Sequence, residues 1–205
     1  EDIAFDAGGN LYVADQENHR VQIFDSSLNY VATLGQTGVS GSDYNHFDHP
    51  TGVFVDKNGH IYVADSENYR VQVFNQSRNH VLTLGQTGVS GSDNSHFDSP
   101  HDVIVDAIVR IYVVDAYNDR VQVFDGSGGY LTTIGGSWGA SPGQLRSPQG
   151  VAVDEQGIVY VADSDNHRVQ KFAPGIPGWI QVNEGGFGNP DSGGITALEP
   201  FNGQL

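Results

Sequence analysis

An all-β fold built from a radially repeated, four-stranded antiparallel sheet is predicted by three observations. The segment "YVADQENHRVQIF" from Tyr12 returns as "YVADSENYRVQVF" from Tyr62, "YVVDAYNDRVQVF" from Tyr112 and "YVADSDNHRVQKF" from Tyr160. Aligned on the Asp that closes the first half, the copies sit at Asp15, Asp65, Asp115 and Asp163, at spacings of 50, 50 and 48 residues, the period of radial β-repeats. The composition, with 27 Gly, 8 Pro and many Val, Tyr and Phe, favours strands and turns over helices.

Each copy reads as four strands, which in the second are "GVFVD" (52–56), "HIYVAD" (60–65), "RVQVF" (70–74) and "HVLTL" (80–84). "DKNG" (56–59), "DAGGN" (6–10) and "DEQG" (154–157) supply the first turn, with Gly or Asn available for positive φ. "DSEN" (65–68) makes the second turn and "NQSRN" (75–79) the third, so the strands form a meander. In the third copy Ile108 and Val109 replace the expected turn glycine. The first two strands are nearly continuous apolar runs, which in a sheet means cover on both faces. Sheets stacked face to face in a ring, a β-propeller, provide that cover while leaving only short edges.

"HPTGVFVDKNGHIYVADSENYRVQVF" (49–74) and "SPQGVAVDEQGIVYVADSDNHRVQKF" (147–172) resemble NHL repeats, and the resemblance covers about residues 2–175. It implies propeller blades at 1–35, 47–85, 97–135 and 145–182. Residues 183–205 follow as the start of an atypical fifth blade or a C-terminal tail, where Phe187, Pro190, Ile195 and Gly203 echo the pattern. Propellers of this family are typically six-bladed, so these four blades and a fragment read as part of a larger ring. That reading predicts a natural chain that continues, or neighbouring copies that cover the open faces. The absence of Met, with Glu1 opening directly in a strand, points the same way.

The repeated polar residues are Asp15, Asn18 and Arg20; Asp65, Asn68 and Arg70; Asp115, Asn118 and Arg120; and Asp163, Asn166 and Arg168. They suit a tight turn: Asp to cap backbone N–H groups, Asn to adopt the left-handed backbone, Arg to reach across the hairpin to the carboxylate. A blade needs this set every time and a catalytic site needs it once, so its role is structural.

The inter-blade linkers "GQTGVSGSDYNHFDHP" (35–50) and "GQTGVSGSDNSHFDSP" (85–100) differ only at Tyr44/Asn94, Asn45/Ser95 and His49/Ser99. Asp43, Asn45 and Asp48 in the first, and Asp93, Ser95 and Asp98 in the second, are clustered hard oxygen donors of the kind Ca²⁺ takes. The alternative is that they make side-chain turns while Phe47 and Phe97 plug between blades. His46 and His96 repeat with them.

A grafted site would show as a departure from the repeat. The third copy carries His101 and Asp102 where the second has Thr51 and Gly52 and the fourth has Gln149 and Gly150. Placed just before an innermost strand, they stand at a channel mouth, where an acid/base pair or a metal ligand could act. Amidating lyases, which are NHL-like propellers, hold metal at the channel with His and acidic residues, and the His101–Asp102 pair resembles that arrangement. Asp119 stands where other copies have His19, Tyr69 and His167.

The net charge of −16 arises from 25 acidic residues against nine Lys and Arg. Four of the nine are the repeated arginines; Lys57, Arg78, Arg110, Arg146 and Lys171 are too scattered to line a phosphate-binding face. The charge disfavours nucleic acid and anionic membrane surfaces as partners, and favours a cation or basic partner. No apolar run is long enough to span a bilayer as a helix. Without Cys there are no disulfides or thiol nucleophiles, and no Gly-x-Ser-x-Gly, Walker or His-Glu-x-x-His motif occurs. Two expectations follow. The first is a non-enzymatic binding or scaffold module, extracellular or on the cell surface, that engages a protein, a glycan or its own copies with Ca²⁺ in its linkers. The second is a metal-dependent lyase or hydrolase acting through His101 and Asp102.

Overall fold

The computed structural model describes residues 2–175 and 178–181, with side chains to 174. The expected fifth-blade fragment at 183–205 lies outside the described residues. Among the described residues sixteen strands form four antiparallel four-stranded sheets, each a simple meander. The first sheet comprises β1 (Ile3–Phe5), β2 (Leu11–Asp15), β3 (Arg20–Phe24) and β4 (Tyr30–Gly35). The second comprises β5 (Pro50–Val55), β6 (Ile61–Asp65), β7 (Arg70–Phe74) and β8 (His80–Gly85). The third runs β9 (Pro100–Val105), β10 (Ile111–Asp115), β11 (Arg120–Phe124) and β12 (Tyr130–Gly135). The fourth runs β13 (Pro148–Val153), β14 (Val159–Asp163), β15 (Arg168–Gly175) and β16 (Gly178–Gln181).

The innermost strand of the second sheet starts two residues earlier than the sequence predicts. Pro50 pairs with Asp65 across an irregularity between Pro50 and Gly52. Asp56 leaves the strand because its carboxylate folds the turn: Oδ1 accepts the N–H groups of Asn58 and His60, both at 2.8 Å. The Tyr62 hydroxyl donates to Oδ2 at 3.5 Å. Burial and this carboxylate push the Tyr62 phenol up to about 12. The same Asp–Tyr contact recurs at Asp6–Tyr12, Asp106–Tyr112 and Asp154–Tyr160, which explains why the tyrosine travels with the turn.

The chain divides into two compact units, Glu1–Val103 and Ile104–Leu205. In the first, β5 packs on β1, β2 and β3, and the core interleaves Ala4, Ala14, Val21 and Ile23 with Val53, Val55, Ile61 and Val63. The middle strands β6 and β7 are buried at every position, whereas β2 and β3 alternate. In the second unit β13 packs on β10, with Val113, Val121, Val151, Val159 and Val161 all essentially inaccessible.

Val109 takes the left-handed position, at φ 67, that Gly9, Gly59 and Gly157 fill in the other turns. A β-branched residue there is strained. Room for it comes from Gly126, where a Cβ would lie 2.8 Å from a Val109 methyl. Val109→Gly is expected to stabilise the protein by about 1 kcal/mol, less the entropy that glycine adds to the unfolded chain. A denaturant midpoint that falls on this substitution would refute the strain.

Candidate functional site

The repeated polar residues form a clamp. In the second blade Asp65 and Arg70 are 0% and 1% exposed, and Arg70 Nε donates to Asp65 Oδ2 at 2.7 Å. Asn68 and Gln72 donate to the same oxygen at 2.9 and 3.4 Å. The rest of the arginine reaches backward into the preceding linker. Its guanidinium donates to the carbonyls of Ser42 (2.7 Å), Asp43 (2.9 Å) and His46 (3.1 Å). Asn68 takes the Gly41 carbonyl, and Asp65 Oδ1 accepts the Asp48 N–H at 2.6 Å. The fourth blade repeats this on a linker of different sequence: Arg168 holds the carbonyls of Ala140, Ser141 and Gln144, and Asp163 accepts the Arg146 N–H. Asp–Arg pairs at 2.7 Å also form at Asp15–Arg20 and Asp115–Arg120, with Asn18 and Asn118 donating to the same aspartates.

Two expectations for this turn are corrected. The left-handed residue is the one after Asn: His19, Tyr69, Asp119 and His167 lie at φ 51 to 55. Asn instead ends a short 3₁₀ turn and spends its amide on Asp, and in blades two and four on the linker as well. The Asp makes no side-chain cap to its own turn. In blades two and four its second oxygen accepts the linker N–H.

The two near-identical linkers fold alike. Gly41 N–H donates to the Phe47 carbonyl and Gly91 N–H to that of Phe97. Asp43 Oδ1 accepts the Asn45 N–H and meets His46 Nδ1, both at 2.8 Å, while His46 Nε2 reaches Gln36 at 2.9 Å. Asp93, Ser95, His96 and Gln86 repeat the pattern. His46 and the loop N–H hold the Asp43 carboxyl below the usual range, and His96 and Ser95 hold that of Asp93 far below it. These carboxylates are thus engaged with their own turns, and a calcium ion would have to displace the imidazoles. Phe47 and Phe97, each 1% exposed, plug against Gly35 and Gly85. Leu145 fills that place against Gly135 in the third linker.

His101 and Asp102 lie within β9 rather than before it. The His101 carbonyl accepts the Thr51 hydroxyl at 2.8 Å, and Asp102 Oδ1 accepts the Val103 N–H at 2.7 Å. Gly52 is required opposite them, since a Cβ there would stand 2.8 Å from the His101 carbonyl oxygen. Asp2, at the repeat position of Asp102, went unnoticed in the sequence. Its Oδ2 accepts the Val53 N–H at 2.9 Å. Burial raises its carboxyl above the usual range, against the pull of that N–H and, more weakly, of His101. Aligning all four copies at this position would have revealed it: Asp2, Gly52, Asp102, Gly150.

Asp48 has other partners than Asp43. It meets His49 Nδ1 at 2.8 Å and His19 Nδ1 at 3.4 Å. The His19 and His49 rings meet edge to face at 4.6 Å. Among the described residues this is the one group of three His or acidic side chains whose ligand atoms lie within 4.8 Å of one another. Sequence reasoning missed it because His19 and His49 are thirty residues apart. The signal was there in two substitutions at one linker, His19 for Tyr69 and His49 for Ser99.

The NHL repeat model matches residues 1–24, 47–74 and 145–172. The third copy, which carries the His101–Asp102 and Ile108–Val109 departures, is outside those matches yet builds the same four strands. No curated protein matches the chain. Among solved structures it is similar to a gluconolactonase from Xanthomonas campestris, with a TM-score of 0.70 at 16% identity over 96% of this chain and 65% of that one. It is also similar to a streptogramin B lyase, at 0.63 and 10% identity over 88% and 53%. An auxiliary nutrient binding protein from Bacteroides thetaiotaomicron gives 0.61 and 14% over 83% and 46%. The chain thus spans between 46% and 65% of the length of these structures, and at such identities the likeness is one of fold. No helix among the described residues is long and apolar enough to cross a membrane. Three of the four repeats thus match the NHL repeat, and all four fold as four-stranded antiparallel blades of the β-propeller kind.

Proposed function

We propose that the chain is a non-enzymatic binding or scaffold module that engages a protein, a glycan or further copies of itself, outside the cell or at its surface. One observation carries this reading: the two near-identical linkers are preorganised, outward-facing loops. Each is braced internally by the Asp–His–Gln set and from behind by the clamp or plug, while Val39 and Val89 remain 40% and 41% exposed and Tyr44 58%. Tyr44 stacks on His80 at 4.1 Å and so presents a rigid aromatic face. Two like loops, one repeat apart, suit a repetitive partner, for which linked contacts multiply affinity. The acidic, Cys-free composition accords with an extracellular setting.

The test combines a glycan array with sedimentation of the purified chain. Retention or self-association that is weakened about tenfold or more by Val39→Asp with Val89→Asp, and unaffected by His101→Ala, supports the proposal. Binding indifferent to both loop substitutions overturns it. The pull of His101 on the Asp2 carboxyl favours a second reading, a metal-dependent hydrolase or lyase. The related folds include a gluconolactonase and a streptogramin B lyase. Lactone hydrolysis abolished by His101→Ala would establish it.

A further inference from the structure

We propose that His19, Asp48 and His49 form a binding site for one transition-metal dication of the zinc class, with three protein ligands and a fourth position open to solvent. Nothing in the loop-binding reading requires this site, and it stands on its own geometry. Two imidazoles and one carboxylate are the donors that Zn²⁺, Co²⁺ or Ni²⁺ takes, whereas Ca²⁺ prefers oxygen alone. Around a tetrahedral ion with bonds of about 2.0–2.1 Å, ligand atoms stand roughly 3.3 Å apart. The His19 Nδ1–Asp48 Oδ1 and His49 Nδ1–Asp48 Oδ1 separations are 3.4 and 2.8 Å, so small rotations of the rings admit an ion.

The ligands are also held from behind. Asp48 is anchored by its N–H on the buried Asp65 carboxylate, itself fixed by Arg70. His19 and His49 both sit on left-handed backbone, at φ 53 and 51, with His49 followed immediately by Pro50. Such support lowers the cost of assembling a first shell. His49 N–H donates to His19 Nδ1 at 3.2 Å, so that nitrogen is unprotonated and its one lone pair is spent on the N–H; to ligate an ion the ring must turn and exchange this hydrogen bond for the metal. On binding, the proton shared by His49 Nδ1 and Asp48 Oδ1 leaves to solvent and the ion takes its place. Side-chain exposures of 16%, 32% and 36% for His19, Asp48 and His49 give an entry path. The net charge of −16 favours a cation there.

The same backbone frame recurs without the two histidines. Tyr69, Asp98 and Ser99 occupy these places in the second linker, and Asp119, Arg146 and Ser147 in the third. There Asp119 Oδ1 accepts the Ser147 N–H at 2.9 Å, doing the structural part of what His19 does for His49. The frame therefore needs neither histidine, and the pair occurs together at only one of the three linkers.

The experiment is calorimetric titration of Zn²⁺ into chelator-treated, dialysed protein, with Co²⁺ absorption as a report of coordination geometry. One site per chain is expected, with the intense visible bands of tetrahedral cobalt. His49→Ser, the residue of the sister linker, and His19→Asp, the residue of the third blade, should each weaken Zn²⁺ binding about tenfold or more. Both should melt in chelator as the parent does, because each substitution already serves the same frame elsewhere in the chain. Absence of binding up to millimolar Zn²⁺, or an affinity unchanged in both variants, overturns the site.

Discussion

Arg70→Ala is expected to destabilise the protein by about 3–5 kcal/mol, measured by denaturant unfolding. The side chain is 1% exposed, its partner Asp65 is 0% exposed, and its removal leaves a buried carboxylate without its cation and takes the guanidinium donors from the Ser42 and Asp43 carbonyls, while the His46 carbonyl keeps only Gln72 Nε2. Arg70→Lys keeps the charge but not the planar fork, so it recovers only part of the loss. Arg20→Ala is the internal comparison, since Arg20 and Asp15 are 20% and 25% exposed and solvent screens the pair. It should cost about 1 kcal/mol or less. Equal losses at the two sites would show that the clamp owes nothing to burial.

Phe47→Ala is expected to cost about 3–5 kcal/mol by the same measurement. Phe47 is 1% exposed, meets Phe74 edge to face at 5.9 Å, and fills the space that Gly35 leaves at the end of β4. Phe47→Leu should cost only about 1 kcal/mol, because Leu145 already performs the task against Gly135 in the third linker. A leucine as damaging as an alanine would mean that the aromatic contact, not the filled volume, holds the linker down.

Both predictions depend on contacts that the repeat only half disclosed. The Asp65–Arg70 pairing was legible because the two residues flank one short turn, where spacing alone brings them together. Arg70's grip on Ser42, Asp43 and His46 was not, since backbone carbonyls carry no sequence signature. Val109 was legible as a missing glycine, but only the backbone showed that it accepts the left-handed geometry, with Gly126 yielding the room. The linker oxygens read as a cation shell, yet Asp43 and Asp93 turn onto His46 and His96, and Asp48 turns away to His19 and His49.

By itself the sequence determined the four-stranded repeat, its turns and its plugs, because hydrophobic alternation, turn chemistry and a 50-residue period act over short stretches and need no partner to be read. Only the tertiary structure decided which polar groups meet. The Asp48 N–H finds Asp65 seventeen residues on, and the His49 N–H finds His19 thirty residues back. Such separations are closed by the folding of one blade against the next, so the donors are brought together by a chain path that residue spacing does not encode.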